Sequence, residues 1–142
     1  MVIVPNVVRD TPPLPRNPVF LYYSDRFARP QPFRPDIVVS IDDVFQKKIE
    51  MLDAHVSQFY EWLPWTIGNL DQVPKVAVER KKWLAAQPMA ERKGAPEWRF
   101  TLEKRYGADA ASIQHVEAFE ITEYGRQPSE EEIRKLFPFF PR

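Results

Sequence analysis

Residues 36–65 read DIVVSIDDVFQKKIEMLDAHVSQFYEWLPW, and this stretch sets the expectation for the whole chain. Asp36-Ile37-Val38-Val39 is short, apolar and β-branched, the composition of a buried strand. Ser40 follows as an N-cap, with Asp43 three residues on to complete a capping box. Asp42 and Asp43 also put negative charge in the first turn, where the helix dipole favours it. Phe45, Ile49, Leu52, Val56 and Phe59 recur at four- and three-residue steps, the single stripe of an amphipathic helix. Trp62-Leu63-Pro64-Trp65 should end it, because the residue before a proline is disfavoured in the α region. The two tryptophans around Pro64 read as a rigid apolar corner, core or interface rather than a carbohydrate platform. Strand, tight turn and helix together are the βα unit of a layered α/β fold.

Toward the N-terminus, Val2-Ile3-Val4 and Val19-Phe20-Leu21-Tyr22-Tyr23 are two further apolar runs, the second suited to a strand buried on both faces. Eight of the fifteen prolines lie in the first 35 residues, so Pro5 to Pro18 and Phe27 to Pro35 should be extended loops. Asp25 and Arg26 fall where the Val19–Tyr23 strand ends. In an open α/β sheet ligands gather outside the carboxyl ends of strands, which makes this pair either a site edge or a solvated turn. Arg26, Arg29 and Arg34 fit a solvated loop better than an anion clamp. A chain that opens with such units and no hairpin signal points to a mostly parallel sheet covered by helices.

Beyond the elbow, Pro74 suits the first turn of a helix carrying Val76, Arg80, Trp83 and Leu84. Pro96 opens another, with Trp98, Leu102 and Tyr106 at four-residue steps and Gly107 as its stop. His115 to Tyr124 reads as a strand whose imperfect alternation suits a sheet edge, and Gly125 follows it. Ser129 with Glu132 is a second capping box. The tail Leu136-Phe137-Pro138-Phe139-Phe140 is too apolar to be left in water and should dock.

Bulk properties narrow the function classes. Twenty acidic and twenty basic residues cancel, which removes any global pull toward nucleic acid or an anionic membrane. The absence of cysteine excludes disulfides, thiolate chemistry and cysteine-ligated metal. No apolar run reaches the ~20 residues of a membrane span and the start does not read as a signal peptide, so a soluble, cytoplasmic protein is expected. The 142 residues suit one domain, with strands and proline-rich loops over 1–35, the strand–helix unit over 36–65 and a helical extension, edge strand and aromatic tail over 66–142. Lys48, His55 and Gln58 lie on adjacent rows of the central helix. They are either polar groups beside a pocket or ordinary boundary residues. His115 and Glu117 alone are a poor metal set, since such sites need three or four convergent ligands.

Lys48, Leu52, His55, Ser57 and Gln58 form the pattern K-x-x-x-L-x-x-H-x-S-Q after a valine-rich strand. That pattern resembles the C-terminal half of the PIG-L/LmbE-like de-N-acetylases. The EWLPW elbow, the FEITEYGRQPS segment and the LFPFF tail are similar to a bacterial subgroup of that family, so the likeness runs from about Val19 onward. It implies the C-terminal part of a Rossmann-like fold, with extra helices after the last βα unit and a late edge strand. It implies a zinc hydrolase that removes N-acetyl groups from amino-sugar conjugates, with His55, Ser57, Gln58 and Lys48 lining or supporting the substrate pocket; Asp25 and Arg26, placed at the end of the Val19–Tyr23 strand, are the further candidates for it. The family draws its zinc ligands and general base from an Ala-His-Pro-Asp-Asp motif and a later His-x-x-His-type motif. Neither occurs here, so the chain should correspond to the distal part, starting just after the second motif, with no zinc or catalytic residue of its own. Its partners would be the missing N-terminal half or a second copy, through an exposed sheet edge and the tail. A free-standing, non-catalytic α/β module that binds a partner or small ligand is the alternative.

Overall fold

The computed structural model describes residues 3–4, 9–25, 28–88 and 96–141. Three strands, β1 (Val19–Tyr23), β2 (Ile37–Ser40) and β3 (Val116–Gly125), form one sheet in the order β1-β3-β2, and both pairings are antiparallel. The expected mostly parallel, Rossmann-like sheet is therefore not the architecture of this chain. β2 does not return beside β1 through a helical crossover. Instead the last strand enters between the two early ones, pairing Ile37 with Phe119 and Tyr23 with Phe119 from opposite sides. The late strand is thus central and not an edge, and β1 is an edge and not buried on both faces. Of the apolar run at the start, Val2 lies outside the described residues, and Ile3 and Val4 belong to no strand.

Alternation along β3 builds a core on each face. Val116 and Ala118 join Val38 on one side, where Leu102 and Trp98 of α4 (Pro96–Tyr106) cover them. Phe119 and Ile121 join Ile37, Val39 and Leu21 on the other, under Ile133 of a terminal helix (Glu130–Leu136) and under Phe137 and Phe140. The aromatic tail docks on its own domain, as its composition required, although Phe139 stays 61% exposed. Ser129 caps the terminal helix by the expected capping box with Glu132. Arg105 fastens α4 to that helix through Glu130, at 2.9 Å, and lies over the Phe140 ring.

A third core sits apart from the sheet. Ile49 of α1 (Phe45–Asp53), Tyr60 and Leu84 of α3 (Ala77–Ala85) are buried together, with Phe45, Leu52, Phe59 and Trp83 packed around them. Tyr60 donates to Asp53 at 2.7 Å and Lys81 reaches the same carboxylate at 3.2 Å. The Tyr60 bond holds the Asp53 carboxyl below its usual range, while burial and that carboxylate push the phenol well up.

The long central helix is broken in three. Ser40 ends β2 and caps nothing; a 3-10 turn (Asp42–Val44) precedes α1, and neither start has a side-chain cap. After α1 the chain turns at Ala54-His55 and winds into a π-helical stretch, Gln58–Trp62, that leads directly into α2 (Leu63–Thr66). Pro64 does not end the helix: it lies within α2, directly after the π-helical stretch. Pro74, expected in the first turn of the next helix, lies outside α3, which begins at Ala77.

Candidate functional site

The sequence-derived site residues go to three separate places. Lys48 leaves the helix surface and pairs with Glu117 of β3 at 2.5 Å, with only 18% and 15% of the two side chains exposed. Tyr23 of β1 donates its hydroxyl to the same carboxylate. Glu117 therefore collects a cation from α1 and a neutral donor from β1, and the row ties β1, β3 and α1 together. Each carboxylate oxygen thus has a donor, which suits a structural tie.

Beside it, Asp42 holds the entrance of β3. Its carboxylate accepts the N–H of Gln114 at 3.0 Å, the N–H of His115 at 2.6 Å and His115 Nδ1 at 2.9 Å. The His115 ring stacks on Phe45 with centroids 3.7 Å apart. Composition assigns Asp42 to the dipole of its own helix; it serves a strand 72 residues away instead. Burial alone would raise the Asp42 carboxyl, but the two backbone donors and the imidazole outweigh it and hold its pKa below the usual carboxylate range. The sign follows: a depressed folded pKa stabilises the fold above the unfolded value near 4 and loses that contribution as pH falls through the folded one. At pH 7, Asp42→Ala should cost about 2 kcal/mol, typical of donors left without a charged acceptor. Urea unfolding from pH 7 to pH 3 should show the gap between wild type and variant closing below about pH 4. A gap independent of pH would contradict this.

Asp25 lies elsewhere, on a cleft of about 710 Å³ with Tyr22, Arg29, Phe33, Glu120 and Gln127 among its walls. Much of its charge is already matched: Arg34 grips Asp36 through two bonds of 2.9 and 3.2 Å, and its N–H donates to Glu120 at 2.9 Å. Arg26, expected beside Asp25, lies outside the described residues.

His55 and Gln58 are exposed. The His55 carbonyl accepts the N–H groups of Gln58 and Phe59, so this residue joins α1 to the π-helical stretch, and its ring meets Phe59 edge-on at 6.4 Å. Ser57 lines a shallow groove of about 360 Å³ with Glu61, Trp62, Trp65 and Leu70. The tryptophans of the elbow are not core: Trp62 is 53% and Trp65 68% exposed. Among the described residues no three His, Asp or Glu side chains come together as a metal site. A catalytic zinc takes three protein ligands and an open position, so the described residues do not form one. No helix among them is long and apolar enough to cross a membrane.

The sequence marked Lys48 but not its partner. Glu117 with Lys48, and Asp42 with His115, tie β3 to distant parts of the chain, and only the strand assignment of 115–124 hinted at it. No family model matches the chain, and neither a curated protein nor a solved structure matches it.

Proposed function

We propose that this chain is the distal portion of a PIG-L/LmbE-like de-N-acetylase, supplying scaffold and substrate-side surface while the nucleophile is generated by residues it does not contain. One observation supports this most. Lys48, the first residue of the K-x-x-x-L-x-x-H-x-S-Q pattern, pairs across 69 residues of chain with the largely buried Glu117, which lies on β3 two residues before the FEITEYG segment. The lysine of that pattern thereby has a physical role, since it ties α1 to the central strand. The reading rests on motif order and this tie, not on layer architecture. The second reading, a non-catalytic interaction module, draws on Trp62, Trp65 and Ile67, the last 70% exposed, clustered on the elbow.

The native polypeptide decides between them. Captured with an antibody to this chain, it should exceed 16.7 kDa by intact mass and carry Ala-His-Pro-Asp-Asp upstream of residue 1. Loaded with zinc, it should release acetate from an N-acetylglucosaminyl conjugate. A native product of 16.7 kDa that releases no acetate would overturn the hydrolase reading and leave the module.

A further inference from the structure

The two edges of the sheet are finished differently. Ile37, Val38 and Val39 of β2 are buried, and α4 closes that side. Its Tyr106 hydroxyl accepts the Ser40 N–H at 2.9 Å, and its Thr101 hydroxyl donates to the Pro35 carbonyl at 3.0 Å. β1 forms the other edge, and among the described residues no strand pairs with its outer side. The Ser24 N–H donates to the Ala118 carbonyl at 3.2 Å, and the Arg126 N–H to the Pro18 carbonyl at 3.0 Å. These bonds aim the backbone of the even-numbered residues at β3, so Val19 and Leu21 present their N–H and C=O groups outward. Folded proteins blunt such an edge with a charge or a proline in the strand. Val19-Phe20-Leu21-Tyr22-Tyr23 holds neither, and Phe20 and Tyr22 are 39% and 42% exposed.

We infer that β1 pairs antiparallel with β1 of a second copy, about a two-fold axis at Leu21, joining two three-stranded sheets into one. The strand and its flanks specify this occupant. Antiparallel self-pairing about Leu21 sets Phe20 opposite Tyr22 of the second copy, and the two-fold axis repeats the pair, so each exposed aromatic ring meets another on the same face. The same register brings Arg16, just before the strand, toward Asp25, just after the strand of the second copy, and does so at both ends. A parallel arrangement would bring like charges together instead. Because β1 itself carries no charge, nothing along the ladder opposes its own image. A single short ladder is a small interface, so the dimer should be reversible, with a Kd on the order of micromolar. The inference goes beyond the hydrolase reading, because it concerns assembly and not chemistry.

Sedimentation velocity of the chain across the micromolar range should show its mass rising from 16.7 kDa toward twice that value. Over the same range, amide hydrogen exchange at Leu21 should slow, because that N–H gains an acceptor only in the dimer. Phe20→Lys/Tyr22→Lys and Phe20→Glu/Tyr22→Glu each set like charges opposite one another across the axis, and each should weaken self-association about tenfold. An equimolar mixture of the two variants should associate again, since lysine then faces glutamate; misfolding cannot produce that recovery. A mass of 16.7 kDa at every concentration would overturn the inference, as would a dimer in which Leu21 exchange is unchanged. A dimer that both double variants leave intact, or a mixture of folded variants that stays monomeric, would overturn it as well. The native polypeptide separates this inference from the hydrolase reading. A longer native product that stays monomeric while the 142-residue chain dimerises would give the β1 edge to the upstream segment and overturn this inference alone. A native product of 16.7 kDa that dimerises and releases no acetate would overturn the hydrolase reading alone.

Discussion

Gly125→Ala will destabilise the protein by roughly 3 kcal/mol, while Gly107→Ala will cost only about 1 kcal/mol. Both glycines have positive φ, +77° and +57°, where an L side chain crowds its own backbone. They differ in surroundings. A Cβ at Gly107 would meet nothing within 4 Å, so the backbone term stands alone. A Cβ at Gly125 would lie 2.5 Å from the carbonyl oxygen of Pro18 and 2.6 Å from Cδ2 of Phe20. That carbonyl accepts the N–H of Arg126 at 3.0 Å, and Gly125 is the register partner of Val19. The methyl group cannot be accommodated by turning a side chain aside, because the nearest obstacle is backbone. The end of β3 has to move away from β1, and the pairing with it. Urea midpoints for the two variants, with unchanged slopes, give the comparison directly. Equal costs at the two positions would show that the close approach of β1 and β3 at this corner is not as described.

The elements legible in the sequence were those whose cause is local. The Ser129–Glu132 box forms because donor and acceptor lie within one turn, and Gly107 and Gly125 stop their elements through their own backbone freedom. The strand over Asp36 to Val39 was readable because an unbroken β-branched run suits a buried strand; β2 is buried at Ile37, Val38 and Val39. What was not legible depended on partners far away in the chain. Ser40 and Asp43 have the composition of a cap, yet Asp42 is drawn instead to Gln114 and His115. The imperfect alternation of residues 115–124 suggested an edge strand, yet its glutamates lie on the central one. They tolerate the centre of the sheet because Lys48 and Tyr23 satisfy Glu117, and the Arg34 N–H satisfies Glu120. Sheet direction was misread for a related reason: composition shows that a strand exists but not which neighbour it takes. Of the candidate site, Lys48 stood out in the helix pattern, but nothing in its spacing pointed to Glu117. Pro64 misled because Leu63, held in the helical region at φ −62° and ψ −47°, overrides the usual restriction before proline.

Breaking the Lys48–Glu117 pair from one side should be the most damaging change among the charged residues, at about 3 kcal/mol for Lys48→Met. The reason is desolvation and not attraction. With 15% of its side chain exposed, Glu117 sits largely out of water, with Lys48 Nζ 2.5 Å away. Removing the ammonium leaves a carboxylate with the Tyr23 hydroxyl as its remaining donor and little water to replace the loss. Glu117→Leu should cost a similar amount, because it strands the lysine, whose side chain is 18% exposed. The double variant Lys48→Met/Glu117→Leu has no charge to bury and should lose less than the sum of the singles, with a coupling of about 2 kcal/mol. Tyr23→Phe should cost about 1 kcal/mol in wild type and almost nothing in the double variant, since its acceptor is then gone. Strict additivity across the cycle would show that the two side chains do not share this contact.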